Sequence, residues 1–372
     1  MIKVGITGPS GFIATHLRNA LGLYKDKYSV VPFARSYFQD QEKLRDFVVS
    51  CDVLVHLAAL NRHHAPEVIY ETNMALVKSL IAALEGTGAK PHVIFSSSIQ
   101  EAREHAFGKS KREGRELLSA WAEQSGGTFT GMIIPNVFGP FGRPYYNSVV
   151  ATFCHQLTHG ETPVIEADNE LPLIYIGELV EEILQAMERR LHNPALQVKP
   201  TQRITVSGLL STLQGYQEKY FERGVFPRLH NRFERDLFNT FRCYMDIAAH
   251  YPVKFTQHRD DRGSFVETVQ TELSGQTSFS VTLPNIVRGN HFHTRKIERF
   301  AVIKGEAEIC LRRVGSDEVI RFKLSGEEPA YVDMPIWYTH NITNVGSDEL
   351  YTLFWVNEFF DPEDPDTYFE EV

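Results

Sequence analysis

Apolar residues along the first part of the chain fall into short runs separated by longer stretches at helical spacing. Ile2 to Thr7, Tyr28 to Ala34, Asp52 to Leu57, His92 to Ser97 and Thr128 to Ile134 read as strands. Phe12 to Leu23, Val68 to Leu84 and Lys111 to Gln124 read as helices. That alternation predicts a parallel sheet covered by helices, a doubly wound Rossmann-type α/β fold. Val149 to Leu157, Glu178 to Leu191 and Val206 to Tyr220 keep the helical period, whereas His192 to Pro200 has loop composition. The aromatic-rich stretch Phe233 to Met245 is expected to carry the chain across to a second domain. From near Tyr251 the period becomes two, with short strands about every ten residues, the pattern of an all-β barrel. The expected domains are residues 1–248 and 249–372.

The first strand runs into Gly8-Pro9-Ser10-Gly11-Phe12-Ile13-Ala14. A glycine turn between a strand and a helix lets the backbone approach a pyrophosphate, whose charge meets the free N–H groups of the helix start. Thr7, Gly8, Ser10, Gly11, Phe12 and Ile13 are therefore expected to bind a dinucleotide. The second strand ends in Arg35, where an NAD site offers a carboxylate and an arginine suits a 2′-phosphate. NADPH is the expected cofactor, and the alternative is an arginine that merely ends a strand in solvent.

In the second half, His291 and His293 are two residues apart, which on a strand places both on one face. Glu298 follows after a turn-length gap, and His340 lies near the start of a later strand. Three imidazoles and a carboxylate suit zinc or another first-row divalent metal.

Composition narrows the partners. A length of 372 residues fits two domains, and 42% hydrophobic residues fill ordinary cores. A net charge of −9 without a basic tract argues against nucleic acid or an anionic membrane surface. Cys51, Cys154, Cys243 and Cys310 are scattered, as reduced thiols would be. No leader precedes the first strand, and no apolar run nears the roughly 20 residues of a membrane helix. A soluble cytoplasmic protein is expected.

The N-terminal motifs resemble those of extended short-chain dehydrogenases/reductases. The glycine turn, Leu57-Ala58-Ala59 after the third strand, Asn73 on a helix, Ser96-Ser97-Ser98 and Pro135-Asn136-Val137-Phe138-Gly139-Pro140 occur in the family's order. The resemblance implies that Leu57, Ala58 and Ala59 line the cofactor and that Ser98 hydrogen-bonds the substrate carbonyl. It also implies that Lys111 holds the nicotinamide ribose, with Asn73 completing the reductase set. Departures bear on reduction more than on binding. The family's Tyr-x-x-x-Lys pair reads Phe107 to Lys111, Ile133 replaces a frequent arginine, and Tyr175-Ile176-Gly177-Glu178 replaces a Tyr-x-Asp-Asp segment.

His291-x-His293, Glu298 and Gly305 resemble the first cupin motif, and Pro335 to Asn344 the second, with Trp337 where a glycine is usual. Asp260-Asp261-Arg262-Gly263-Ser264-Phe265-Val266-Glu267, followed by Val287-Arg288-Gly289-Asn290-His291, is also similar to nucleotide-sugar 3,5-epimerases. In those barrels a histidine at the position of His291 removes a proton beside a ketone, so His291 has two rival roles, ligand and base. Tyr338 is its expected partner in proton transfer.

Over its full length the chain resembles the bifunctional capsular-polysaccharide enzymes of CapF type. That likeness implies a UDP-2-acetamido-2,6-dideoxy-hexos-4-ulose substrate, C3 epimerisation by the cupin, and NADPH-dependent C4 reduction on the way to UDP-N-acetyl-L-fucosamine. A homodimer is expected. Two alternatives stay open: an epimerase whose dinucleotide domain only binds, and a non-enzymatic sensor of nucleotide sugar or NADPH.

Overall fold

Val4, Ile6, Leu54, Val55, Val93 and Ile94 are buried from both sides, which is what a parallel sheet between helices requires. The computed structural model describes residues 1–261 and 263–372. Arg262 of the Asp260–Glu267 motif lies outside the described residues. Strands β1 (Ile2–Thr7), β2 (Tyr28–Val31), β3 (Val53–His56), β4 (His92–Ser98) and β5 (Thr128–Ile134) match the expected runs, with β2 ending before Arg35. Short strands β6 (Asn136–Phe138), β7 (Glu170–Tyr175), β8 (Asn193–Gln197) and β9 (Gln202–Thr205) follow. The helices are α1 (Phe12–Gly22), α2 (Gln41–Val49), α3 (Pro66–Thr87), α4 (Ala106–Ser125), α5 (Val149–Thr158), α6 (Ile176–Glu188), α7 (Val206–Tyr216), α8 (Arg232–Arg242) and α9 (Ile247–His250).

The chain forms two compact units. Unit 1 comprises Met1–Val149 and Asn169–Thr205, and unit 2 comprises Val150–Asp168 and Val206–Val372. A division at residue 248 would thus cut through unit 2, because α7, α8 and α9 group with the barrel. Phe233 to Met245, read as a crossing segment, is mostly helix α8, which buries Phe233, Leu237, Phe238 and Phe241.

Unit 1 holds a parallel sheet in the order β2-β1-β3-β4-β5-β8. Leu44, Phe47, Leu54, Val77, Leu80, Leu118, Trp121 and Phe129 form one core between α2, α3, α4 and the sheet. Strand β8 corrects the expectation of a loop over His192–Pro200. It pairs with β5 at the sheet edge, Thr130 opposite Asn193 and Ile133 opposite Gln197. Asn-Pro-Ala-Leu-Gln has little strand propensity, and an edge strand tolerates its proline. Backbone pairing makes this strand, and composition does not reveal it.

Unit 2 contains β10 (Val253–Lys254), β11 (Gln257–Asp260), β12 (Gly263–Val266), β13 (Gln276–Thr282), β14 (Val287–Phe292) and β15 (Glu298–Lys304). Then come β16 (Glu306–Arg313), β17 (Val319–Ser325), β18 (Ala330–Met334), β19 (Tyr338–Asn344), β20 (Leu350–Val356) and β21 (Tyr368–Phe369). Two antiparallel sheets, β10-β18-β15-β20-β13 and β17-β16-β19-β14-β21, make the cupin barrel.

A buried polar network fastens helices to this barrel. Arg299 donates to Asp333 through Nε and Nη2, at 2.7 and 3.0 Å, with its guanidinium 3.6 Å from the Tyr331 ring centre. Tyr220 donates to Asp333 at 2.7 Å and accepts from Arg242 Nε at 3.1 Å. Its single proton is thereby used, so Tyr251 must be the donor in their 2.8 Å contact. Removing one partner of a buried pair strands the other charge. Asp333→Ala should lower unit 2 stability by about 3–5 kcal/mol, read from the urea midpoint. The double change Arg299→Met, Asp333→Leu should recover most of that loss, since no lone charge remains.

Candidate functional site

Unit 1 carries a dinucleotide-type turn. Gly8 adopts φ +69°, and a Cβ there would lie 3.0 Å from Ala58 Cα, so the turn after β1 meets the turn after β3. Gly11 precedes α1 without any side-chain cap, which leaves the first N–H groups of the helix available to an anion. This cradle fits a pyrophosphate. Thr7, by contrast, is fully buried and serves the scaffold. Its hydroxyl accepts from the N–H groups of Leu57 and Ala58 at 3.1 and 3.2 Å. It therefore donates to His56 Nδ1 at 2.8 Å. Burial, aided by the Lys111 charge, holds His56 down to about 3, so its ring is neutral. Sequence reading missed His56, which looks like one more member of an apolar strand. Arg35 is exposed at the start of a 3₁₀ turn, Arg35–Gln39.

The proposed reductase residues lie on adjoining elements. Ser98 ends β4 and accepts from the Gln100 N–H at 3.2 Å, capping the 3₁₀ turn Ile99–Ala102. Phe107 begins α4, and Lys111 follows one turn later. Lys111 is buried and donates to Ser96 O at 2.7 Å, with its ammonium 4.9 Å from the Phe95 ring centre and 5.7 Å from that of Phe107. Desolvation brings its pKa down to about 8. A Cβ on Gly108 would fall 2.2 Å from Gln100 O, so only glycine lets α4 press against the turn beside Ser98. Glu101 anchors that turn through a two-pronged pair with Arg115 at 2.9 and 3.0 Å. Asn73 is buried and works as a brace. Its amide accepts from Leu60 N–H at 2.7 Å and donates to Leu60 O and Ser110 Oγ at 3.1 and 3.0 Å.

Unit 2 gathers His291, His293, Glu298 and His340, with ligand atoms all within 4.8 Å of one another. Glu298 Oε2 is 2.9 Å from His293 Nε2, 3.3 Å from His340 Nε2 and 3.9 Å from His291 Nε2. The expected single strand for both histidines is modified. A bulge separates Gly289 from His291, Asn290 takes φ +60°, and His293 lies just beyond the end of β14. Trp337 takes φ +61°, the conformation that a glycine adopts without strain. Its N–H donates to His293 O at 2.8 Å, and its ring stacks on Phe292.

The hydrogen bonds set the ring tautomers. Nδ1 of His293 meets Asp366 O, and Nδ1 of His340 meets Tyr338 O at 3.1 Å. A carbonyl only accepts, so each Nδ1 carries the hydrogen, and each Nε2, when neutral, offers a lone pair beside the Glu298 carboxylate. A proton or a metal ion between them relieves that arrangement. Burial would raise the Glu298 pKa, but the surrounding imidazoles hold it well below the usual range, and against burial Glu298 in turn raises that of His293. Burial lowers that of His340, whose Nε2 is enclosed without a hydrogen-bond partner. A divalent ion would satisfy all four groups at once, and the donor set suits zinc. Tyr338 is half-buried and its phenol is pushed up to about 12, first by burial, then by Cys243 and Glu318 against Arg313.

Comparison with known proteins agrees with both halves. Residues 4–198 match the NAD dependent epimerase/dehydratase family. The chain belongs to that family. Residues 258–368 match the polysaccharide biosynthesis C-terminal domain. A UDP-2-acetamido-2,6-beta-L-arabino-hexul-4-ose reductase of Pseudomonas aeruginosa is 34% identical over 369 residues, 99% of this chain and 98% of that one. The crystal structure of capsular polysaccharide assembling protein CapF from Staphylococcus aureus is 34% identical, with 100% of each chain covered and a TM-score of 0.64. Spore coat polysaccharide biosynthesis protein SpsL of Bacillus subtilis is 23% identical over 123 residues, 30% of this chain and 82% of that protein. The CapF-type likeness read from the sequence thus holds along the full length. Among the described residues, no helix is long and apolar enough to cross a membrane.

Within this epimerase/dehydratase chain, burial of the Lys111 ammonium costs stability. Its folded pKa of about 8 lies below the ordinary lysine value of 10.5, so the folded state resists the proton that the unfolded state accepts. The penalty is full below about pH 8 and disappears as pH rises through 10.5. Lys111→Met should therefore stabilise unit 1 at pH 7 by at most about 3 kcal/mol. Urea midpoints should show that gain shrinking toward pH 10.5.

Proposed function

We propose that this chain converts a UDP-2-acetamido-2,6-dideoxy-hexos-4-ulose by C3 epimerisation in the cupin and NADPH-dependent C4 reduction at the dinucleotide site. The observation that carries this reading is 34% identity, along nearly the whole chain, to a UDP-2-acetamido-2,6-beta-L-arabino-hexul-4-ose reductase. The reaction would lie on the way to UDP-N-acetyl-L-fucosamine for surface-polysaccharide synthesis.

A C4 ketone acidifies the C3 proton, so epimerisation needs a base on one face and a donor on the other. His291 has the most open side chain of the three imidazoles, at 24% exposure against 4% and 0%, which suits contact with a sugar. His293, Glu298 and His340 would hold zinc or a related ion with it, and Tyr338 remains the proposed donor. The bound metal would polarise the ketone, and the bound nicotinamide would supply hydride to C4. On unit 1, Ser98 would orient the carbonyl and Lys111 the ribose, with Gly8, Ser10, Gly11, Phe12, Ile13, Leu57, Ala58 and Ala59 around the cofactor. Exposed Arg35 would meet the 2′-phosphate. Reduction removes the acidifying ketone and so fixes the inverted centre. Phe279, Leu283, Ile286, Val287 and Val345 are exposed on or beside strands β13 and β14, which suits a homodimer; a monomer mass by light scattering would remove that part.

Phe107 favours a second reading, an epimerase with impaired reduction, because its ring cannot donate a proton. One incubation separates the readings. In deuterated water the 4-keto sugar should gain deuterium at C3 without NADPH, and with NADPH it should proceed to the alcohol. No wash-in at any metal loading removes the epimerase. A positioned general acid is worth about 10²–10⁴ in rate. Phe107→Tyr should accelerate reduction by at least roughly tenfold while leaving C3 exchange unchanged. An unaltered rate would place the proton donor elsewhere.

A further inference from the structure

The segment that follows β20 returns to the histidine cluster and touches each stretch that carries a ligand. Strand β21 pairs with β14, Phe369 opposite His291 and Tyr368 opposite Phe292. Glu370 N–H donates to Asn290 O at 3.0 Å, and Glu370 O accepts from Thr339 Oγ1, next to His340. Just before these ties lies Asp366, 2% exposed. Its backbone takes φ +40°, a conformation that aspartate tolerates better than most side chains.

Asp366 does two things at once. Its carbonyl receives the His293 Nδ1 hydrogen, which turns His293 Nε2 toward Glu298. Its carboxylate gathers the loop between those two ligands. Oδ1 accepts from Thr294 N–H at 3.0 Å and Thr294 Oγ1 at 2.6 Å, and Oδ2 accepts from the N–H groups of Arg295 and Lys296, each at 3.0 Å. Three successive amides converging on one anion form a nest. Lys296 Nζ adds a bond to Pro365 O at 2.7 Å, and Arg295 pairs with Asp364 at 2.9 Å.

We infer that Asp366 is a positioning residue for the metal centre, fixing the spacing between His293 and Glu298 through the 294–296 loop. The inference rests on the metal reading above and goes beyond the four ligands. Every acceptor site on the carboxylate is used. Asparagine has the same shape, yet it would turn an NH₂ group against amide donors. Shape alone therefore does not suffice, and Asp366→Asn should weaken divalent-ion binding about 10–100-fold, the usual cost of losing an outer partner.

Cobalt(II) added to metal-free full-length protein reads this directly. The natural chain should bind one ion with the visible bands of a four-coordinate site. Asp366→Asn should bind at least tenfold more weakly, with altered bands. Equal affinity and spectrum in both proteins overturn the inference. A natural chain that binds no cobalt or zinc overturns the metal reading itself, and the inference with it. Should the variant fail to fold, amide hydrogen exchange on the natural chain decides. Adding zinc should slow exchange at 294–296 and at 364–368 together. Protection that stops at the ligand loop and leaves 364–368 unchanged overturns the role of Asp366.

Discussion

A single residue step along β15 separates two demands on the barrel. Glu298 turns to the histidine cluster, and Arg299 turns to Asp333, Tyr220 and the helices. Strand side chains alternate sides, so one strand can serve both, but it cannot shift by one residue without exchanging them. A slip in one direction would send an arginine among three imidazoles, and a slip in the other would leave Asp333 facing a carboxylate. The Arg299–Asp333 pair, opposite each other across β15 and β18, therefore sets the register that the cluster requires. Whether a buried ion pair adds net stability matters less here than the alternative pairings it excludes.

Unit 1 shows a parallel economy of polar groups. The Thr7 hydroxyl uses both lone pairs and its proton to tie the end of β1 to the end of β3 and to His56. Asn73 uses its amide in the same manner between the loop after β3 and helix α4. These bonds hold the cofactor turn and the Ser98–Lys111 region without entering them. Lys111 is held differently, with a buried ammonium resting on a sheet carbonyl and two aromatic faces. Such a group is costly to enclose, and the proposed contact with a cofactor ribose would give the site reason to tolerate it.

What could be read from the sequence was local in the chain. The glycine turn and the His-x-His-to-Glu spacing each span fewer residues than one supersecondary unit, and the strand–helix alternation is built from runs that are each local, so their geometry follows from φ/ψ and periodicity. Trp337 stands where a glycine is usual, and its positive φ gives the reason. The rest depended on partners far along the chain. Asp366 reaches His293 across 73 residues, and Asp333 reaches Tyr220 across 113. Strand β8 exists because β5 offers an edge. His56 looks like core until the hydroxyl of Thr7 is found 2.8 Å away. No spacing rule announces these pairings, and the grouping of α7, α8 and α9 with the barrel escaped for the same cause.

That grouping bears on how the chain can be divided. The backbone leaves unit 1 after Val149, re-enters it at Asn169 and leaves again after Thr205. Neither unit is one continuous segment. Two units joined end to end would give a single crossing, as beads on a string do. Three crossings mean that no single cut in the chain yields either unit whole and by itself.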